Sequence, residues 1–259
     1  MKKALAIFLV ILFFLMCGCH GEEAAATQPV QTEMPTEPPT ESVTEPPTEP
    51  KPDWLHSGIR SDGTLDEGAL FIGDSLTNGL LAGYLTANDL LGDCRYMATP
   101  GASLLAFFDG PRLRTNGQYY SYFSETFEGM LMCEAAAAAG ESVKAIYLMM
   151  GTNHNDYVTV QLYIDVLDYL LEVCPNATLY LQQVPCAQSS YVDHESVNRR
   201  IAQAYDHFAQ QQELRVHFIQ TQDAIGMNLK QDGVHLTEEG YRLWYEALLA
   251  YAEENDIPQ

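Results

Sequence analysis

Basic residues are scarce in this sequence of 259 residues, which has 13 Lys and Arg against 35 Asp and Glu and a formal net charge of −22. A nucleic-acid-binding surface needs clustered cations to neutralise phosphates, and this chain has too few to form one. Electrostatic binding to anionic lipid headgroups is excluded for the same reason. The shortage of cations therefore removes two large classes of partner.

Cysteine pairs at metal-binding spacing are also missing. Apart from Cys17 and Cys19, the cysteines are Cys94, Cys133, Cys174 and Cys186, and these four form no C-x-x-C pair. A zinc site of that type is therefore not predicted. An exported chain can form disulfides, and four cysteines allow three connectivities. Each of the four lies in or beside an apolar segment, so buried free thiols are the other interpretation.

No apolar run is long enough for a comfortable membrane span. The run 4–16 follows two lysines and has the length of a signal-peptide core. It ends at Gly18-Cys19, which resembles a bacterial lipobox, where the cysteine is lipidated and becomes the new N-terminus. A plain secretory signal is the alternative. We predict a lipoprotein signal peptide over 1–18 and an exported protein, anchored through Cys19 to the outer face of a bacterial membrane.

Residues 19–53 have a different composition, in which Thr-Glu-Pro-Pro-Thr-Glu occurs twice. The segment has almost nothing apolar to bury, so it cannot offset the entropy lost on ordering. Proline and glutamate repulsion favour an extended chain, which could reach on the order of 100 Å. We predict a disordered tether, with a glycosylated stalk as the alternative.

The remaining residues, 54–259, are enough for one domain. Apolar runs predict five strands, at 69–72, 95–98, 143–150, 177–182 and 214–219. Helical patterns alternate with them, at 76–85, 123–139, 158–173, 192–212 and 238–254. This alternation indicates a parallel sheet covered on both faces. With right-handed crossovers, the predicted fold is a three-layer α/β/α sandwich.

One turn in this domain carries a candidate nucleophile. The stretch Phe71-Ile72-Gly73-Asp74-Ser75-Leu76 runs from an apolar strand into a helix, which places Ser75 at the carboxyl end of the strand. Open α/β sheets bind ligands at that edge, and amides at a helix start stabilise an oxyanion. The alternative is an ordinary strand–helix turn, with Asp74 or Ser75 as the helix cap.

Two further turns after strands carry candidate site residues. Gly101 follows Pro100 after the second strand, where a glycine allows close backbone approach or simply forms a tight turn. Asn153 follows the third strand, and its amide can donate to an oxyanion or form an Asx turn. The neighbouring His154 is a candidate general base, although a lone loop histidine is usually only solvated.

The loop before the last helix holds a carboxylate and a histidine. Asp232 lies three residues before His235, so it can fold back and hold the Nδ1 hydrogen of the imidazole. Nε2 is then free to take a proton from a serine. On its own, Asp232-Gly233 is a turn and His235 a loop histidine.

In this order, four stretches together resemble the SGNH, or GDSL, hydrolase family: Gly73-Asp74-Ser75-Leu76, Gly101, Gly151-Thr152-Asn153 and Asp232-Gly233-Val234-His235-Leu236-Thr237. The resemblance implies Ser75 as nucleophile, His235 as general base and Asp232 as the residue that orients it. The implied oxyanion hole comprises the amides of Ser75 and Gly101 and the side chain of Asn153. The implied fold is flavodoxin-like, with a five-stranded parallel sheet, and the implied chemistry is ester or thioester hydrolysis without a metal or other cofactor.

The third stretch departs from the family pattern. The family often has Asp directly after the Asn, whereas here His154 follows and Asn155-Asp156 comes next. Two registers are therefore open, and the Gly-x-Asn spacing favours Asn153.

The predicted function is hydrolysis of short acyl esters, acetyl above all, on cell-surface or environmental glycans. A lipid anchor and a long tether would place the site among polysaccharides. The alternatives are a lysophospholipase or thioesterase, a glycan O-acyltransferase, and a non-catalytic binding module. The aromatic-rich segment 105–122 either forms a wall of the substrate cleft or packs a loop onto the domain.

Overall fold

The computed structural model describes residues 55–114, 122–255 and 257. The signal peptide, the tether and the lipidation site at Cys19 lie outside these residues and stay predictions. Among the described helices, none is both long and apolar enough to cross a membrane.

Six strands form one sheet in the described part of the chain: β1 (Ala69–Gly73), β2 (Arg95–Ala98), β3 (Tyr122–Phe123), β4 (Ala145–Met149), β5 (Thr178–Gln182) and β6 (Val216–Ile219). Their order is β3-β2-β1-β4-β5-β6, and every neighbouring pair is parallel except β2 and β3. Without β3, the five parallel strands have the flavodoxin-like order. The predicted fold is confirmed, with one short antiparallel edge strand added.

The three central strands, β1, β4 and β5, are buried at every position. Burial on both faces requires apolar residues throughout, since helices cover the sheet from each side. This is why the strands read as continuous apolar runs and why their positions were predictable. The edge strand β3 has only two residues, too few for any periodicity, and it is held by stacking of Tyr122 on Tyr96 at 4.5 Å between ring centroids.

The described helices are α1 (Ser75–Asn78), α2 (Ala106–Asp109), α3 (Met132–Ala139), α4 (Val160–Val173), α5 (His194–Gln210), α6 (Thr221–Ile225) and α7 (Glu238–Glu254). A π-helical segment, Gly79–Leu85, continues α1. The helix predicted over 123–139 is wrong in its first half, which contains part of β3 and a 3₁₀ turn, Glu125–Phe127. Gly129 has a φ of +80°, which no α-helix accommodates, so α3 begins only after it.

The aromatic residues described in the 105–122 segment pack against the rest of the domain and do not form a wall of a cleft. Phe107 is fully buried, and Phe107 and Phe108 meet the ring of Tyr169 on α4 edge-on at 6.0 and 5.4 Å. Packing is therefore the correct interpretation for these two rings. Tyr119 and Tyr120 lie outside the described residues.

The four cysteines of the domain are free thiols in the structure. Cys94 and Cys174 are buried, and burial raises the pKa of Cys94 to about 12 and that of Cys174 to about 11. The free-thiol interpretation is thus confirmed over the disulfide one.

Candidate active site

Ser75 is the first residue of α1, directly beyond the carboxyl end of β1. The turn that leads to it needs glycine at position 73, because a Cβ there would overlap the Thr77 side chain. Asp74 caps the helix, with Oδ1 accepting a hydrogen bond of 2.9 Å from the amide of Leu76. The strand–helix turn predicted from the sequence is therefore present, with Asp74 as its cap.

His235 reaches this serine from the far end of the chain. Its Nε2 lies 3.0 Å from the Oγ of Ser75, across a separation of 160 positions. The backbone carbonyl of His235 accepts a 2.6 Å hydrogen bond from the amide of Lys230, and Leu229 and Leu236 form an antiparallel bridge. These backbone contacts close the histidine loop on itself and fix its shape, while the side-chain contact to Ser75 joins it to the strand–helix turn.

Asp232 completes a chain of three side chains. Its Oδ2 lies 2.9 Å from the Nδ1 of His235, while Oδ1 accepts 2.9 Å hydrogen bonds from the amides of Val234 and His235. The pKa of Asp232 falls to about 2, chiefly because of the Val234 amide, with further help from the His235 amide and ring. The intervening Gly233 has a φ of +71°, which makes this tight return possible. The carboxylate therefore stays ionised and faces the imidazole.

Gly101 lies in a turn after β2. The amide of Ala102 donates to the carbonyl of Thr99 at 2.9 Å, and Gly101 has a φ of +76°, so the tight-turn interpretation applies. Its Cα faces open space, since an added Cβ would meet no atom within 4 Å. The glycine lines a cleft of about 360 Å³, together with Ala102, Leu105 and His154; we call it the first cleft. Its role as an oxyanion donor stays a prediction.

The side-chain amide of Asn153 joins the turns after β1, β2 and β4. Its Nδ2 lies 3.0 Å from the carbonyl oxygen of Ala102 and 3.3 Å from both Asp74 Oδ2 and Thr152 Oγ1. These contacts place the amide against Asp74, the residue before the candidate nucleophile, and against the turn that carries Gly101. Donation to an oxyanion, which stays a prediction, requires one of these hydrogen bonds to give way.

Asn155 faces a different part of the molecule. It is buried, and its Nδ2 donates to the carbonyl of Tyr191 at 2.8 Å, while its own carbonyl accepts from Arg200 at 2.5 Å. The structure therefore separates the two registers, with the Asn153 side chain against Asp74, the residue before Ser75, and Asn155 joining two loops. His154 has left-handed backbone with a φ of 52° and lines the first cleft, while the ring nitrogen that meets Ser75 is that of His235.

Asp74 and Thr152 are site residues that the sequence reasoning did not assign. Asp74 is fully buried, and burial raises its pKa from 3.8 to about 6. The hydroxyl of Thr152 donates to Asp74 Oδ2, the oxygen that also faces Asn153. The sequence contained a signal for this pair. Asp74 directly precedes the nucleophile and Thr152 directly precedes Asn153, and both follow strands whose carboxyl ends meet at one edge of the sheet.

Within the described residues, no group of three or more His, Cys, Asp or Glu side chains is placed to hold a metal ion. The arrangement present suits acid–base chemistry at a serine. A hydroxyl, an imidazole and an ionised carboxylate lie in series, and the amides of a helix start and the Asn153 side chain lie nearby.

Residues 70–248 match the family model described as GDSL-like Lipase/Acylhydrolase. Among solved structures, a family two carbohydrate esterase from Clostridium thermocellum in complex with cellohexaose is 15% identical with a TM-score of 0.50, and the match covers 72% of this chain and 63% of that one. A carbohydrate esterase family 3 from Talaromyces cellulolyticus is also 15% identical with a TM-score of 0.50, covering 73% of this chain and 98% of that one. This chain therefore spans less than two thirds of the bacterial esterase. At such identities the likeness concerns the fold alone. No curated protein is significantly similar in sequence.

Proposed function

The chain belongs to the GDSL-like lipase/acylhydrolase family, and from this premise we propose that it removes short acyl groups, acetyl above all, from glycan esters. In this proposal the enzyme works outside the cell. A lipid on Cys19 anchors it to the membrane, and the 19–53 tether separates the domain from the membrane surface. The single observation that carries the catalytic part is the hydrogen-bonded series Ser75–His235–Asp232, with distances of 3.0 and 2.9 Å.

Acylation begins at the serine. The Oγ of Ser75 attacks the ester carbonyl carbon while Nε2 of His235 takes the hydroxyl proton. The carbonyl double bond opens, and the negative charge moves to its oxygen. Ionised Asp232 holds the Nδ1 hydrogen and stabilises the imidazolium that forms.

The oxyanion needs hydrogen-bond donors that the fold holds close to it. We assign this role to the backbone amides of Ser75 and Gly101 and to the Asn153 side chain. The amide of Ser75 belongs to the first turn of α1, and Asn153 is held from the turns that carry Ser75 and Gly101. Each donor of this kind contributes about 10²–10³ in rate.

Collapse of the tetrahedral species breaks the bond to the alcohol oxygen, which takes the proton from His235 and leaves. A water molecule then gives its proton to His235 and attacks the acyl-serine, and the same donors stabilise the second oxyanion. The second collapse returns the proton to Ser75 Oγ and releases the carboxylic acid. The net reaction consumes one ester and one water.

Two features support a short acyl group on a glycan. The first cleft, with about 360 Å³, lies at the low end of ligand-pocket sizes and includes the small residues Ala102, Ser103 and Ala106 in its lining. The predicted export signal and tether would place the site among surface polysaccharides. Apart from these two features, the negative net charge of the chain disfavours polyanionic substrates.

The test is hydrolysis of p-nitrophenyl acetate, butyrate and octanoate by the purified protein and by its Ser75→Ala variant. We expect serine-dependent turnover that is fastest with acetate, and release of acetate from an acetylated polysaccharide. Preference for octanoate would replace the glycan proposal with a lysophospholipase or thioesterase. Transfer of acetyl to an added sugar acceptor would indicate an acyltransferase. No turnover by a folded protein would favour a binding module.

A further inference from the structure

A second cleft, of about 370 Å³, opens between the π-helical segment and the start of α7. Its lining includes Gly79, Gly83 and Tyr84 from the segment and Lys230 and Glu238 from the other side. We call it the second cleft. None of these residues has a part in the acylation and deacylation steps above, so the cleft needs its own explanation.

The second cleft adjoins the histidine side of the candidate triad. Gly79 lies four residues after Ser75 and therefore on the same helical face. Lys230 and Glu238 flank the loop that holds the triad histidine, and the Lys230 amide donates to the carbonyl of His235 at 2.6 Å. The first cleft has a different lining, which includes Gly101 and His154.

Tyr241, on α7, gives independent evidence of this proximity. It lines the second cleft and lies so close to Gly79 that a Cβ on that glycine would overlap its hydroxyl. Burial raises the pKa of Tyr241 to about 12, and the charges of Asp74 and Asp232 act in the same direction. The contact with Gly79 therefore joins the lining of the second cleft to the helical turn that begins at Ser75.

The reaction itself distinguishes the two sides. His235 must pass its proton to the leaving alcohol oxygen, so that oxygen lies next to Nε2. The carbonyl oxygen points instead to the donors at Gly101 and Asn153. An ester bound in this way has its alcohol portion on the side of His235, whose loop adjoins the second cleft.

We propose that the second cleft binds the alcohol part of the ester, in the form of a sugar unit of the glycan. This inference rests on the proposed function and adds to it a site for the leaving group. A pyranose ring has an apolar face of C–H groups and an edge of hydroxyls. The helix backbone at Gly79 and Gly83, with Ala87 and the ring of Tyr84, suits the apolar face.

The rim of the second cleft suits the hydroxyl edge. Asn88, Lys230 and Glu238 line it and are exposed, so a carboxamide, an ammonium and a carboxylate can reach a bound sugar. In the part of the chain that the structure describes, Lys230 forms no ion pair. Its donors are therefore open to a neutral, hydroxyl-rich ligand.

Gly83 allows a direct steric test. It is exposed on the π-helical segment, and a Cβ built on it would meet no atom within 4 Å. A Gly83→Leu substitution would therefore add a bulky side chain to the lining of the second cleft, with a Cβ that displaces no neighbouring atom. Ala250→Leu is the matched control, because Ala250 is an exposed α7 residue outside both clefts.

The first arm compares kcat/KM for acetylated xylo-oligosaccharides with kcat/KM for ethyl acetate, whose alcohol is too small to occupy the cleft. Gly83→Leu should lower the ratio of the two at least tenfold, mainly through KM for the oligosaccharide, while Ala250→Leu keeps the ratio within twofold. Lys230→Ala should also lower this ratio of kcat/KM values, but by less than Gly83→Leu does. An unchanged ratio in a Gly83→Leu protein with wild-type Tm would overturn the inference.

The second arm measures binding of the same oligosaccharides to Ser75→Ala protein by calorimetry. Adding Gly83→Leu should weaken this binding at least tenfold. Equal affinities of the Ser75→Ala and Ser75→Ala/Gly83→Leu proteins would overturn the inference. This arm does not need turnover, so it decides the inference even if the wild-type protein hydrolyses no ester, which is the outcome that defeats the proposed function.

Discussion

The buried carboxylate of Asp74 accepts a hydrogen bond from the hydroxyl of Thr152, which lies 78 positions later in the sequence. The same Asp74 oxygen lies 3.3 Å from the amide nitrogen of Asn153. Asp74, the residue before the candidate nucleophile, is thus hydrogen-bonded to the turn that carries Asn153, a candidate oxyanion donor. This link ties the geometry of Ser75 to that of Asn153.

Asp74→Asn should change how stability depends on pH. Burial raises the folded-state pKa of Asp74 from 3.8 to about 6, so between these pH values the folded protein binds the proton more tightly than the unfolded chain. This group therefore lowers the free energy of unfolding as pH rises from about 4 to about 6, by on the order of 3 kcal/mol in total. Asparagine cannot titrate, so the variant should lack this fall. Urea denaturation at several pH values measures the free energy of unfolding of both proteins. If this free energy changed with pH in the same way for Asp74→Asn and the wild type, the prediction would be refuted.

Asn153→Ala should lower kcat by about 10²–10³ with the fold retained, because one uncharged donor to the oxyanion is lost. Steady-state kinetics on p-nitrophenyl acetate measure the loss. Asn155→Ala is the matched control. It removes the hydrogen bond to the Tyr191 carbonyl and should cost about 1 kcal/mol of stability with little change in kcat. The reverse pattern would reassign the oxyanion role to Asn155.

Asp232→Asn should lower kcat by at least about 10²-fold while the protein stays folded. The side-chain oxygen can still accept the amides of Val234 and His235, which bond to Oδ1 in the native protein. The new NH₂ group, however, faces Nδ1 and favours the tautomer with hydrogen on Nε2, which cannot accept the Ser75 proton. Kinetics combined with circular dichroism check the prediction, and near-native turnover would contradict it.

Gly73→Ala and Gly83→Ala should have opposite effects on stability. A Cβ at Gly73 overlaps Thr77 and lies 2.8 Å from the Met149 carbonyl, so the substitution should destabilise by at least about 1–3 kcal/mol and displace Ser75. A Cβ at Gly83 points into open space, and alanine should be neutral or stabilise by up to about 1 kcal/mol. Thermal unfolding of both variants is the measurement. A Gly73→Ala protein as stable as the wild type would contradict the prediction, because the backbone of the turn would then have moved to accommodate the Cβ.

Thiol labelling should distinguish the four cysteines of the domain. Cys94 and Cys174 are buried, with pKa values raised to about 12 and about 11, so neither should react in the native protein. Cys133 and Cys186 are partly exposed and should react. After denaturation without a reducing agent, all four should carry the label, as mapped by peptide mass spectrometry. Any pair that stays unlabelled until reduction would reveal a disulfide.

The sequence by itself determined the features that depend on local order. Continuous apolar runs located β1, β4 and β5, because strands covered on both faces must be apolar throughout. The outer parallel strands β2 and β6 were also located, although each is only partly buried. The strand–helix turn at Ser75 and the three-residue return from Asp232 to His235 were also readable, since each is formed by neighbours in the chain. The pairing of Ser75 with His235 was inferred from the family resemblance alone.

Only the tertiary structure decided which distant groups meet. The strand order places the ends of β1, β2 and β4 side by side, and this brings Asn153 to Asp74 and turns Asn155 toward Tyr191. The Gly-x-Asn spacing favours Asn153 but leaves both registers open, whereas in the folded chain the two side chains have different neighbours. The two-residue strand β3, the free thiols and the two clefts depend in the same way on packing between segments far apart in the sequence. The raised pKa of Asp74 has the same origin, since desolvation requires the whole domain to close around the carboxylate.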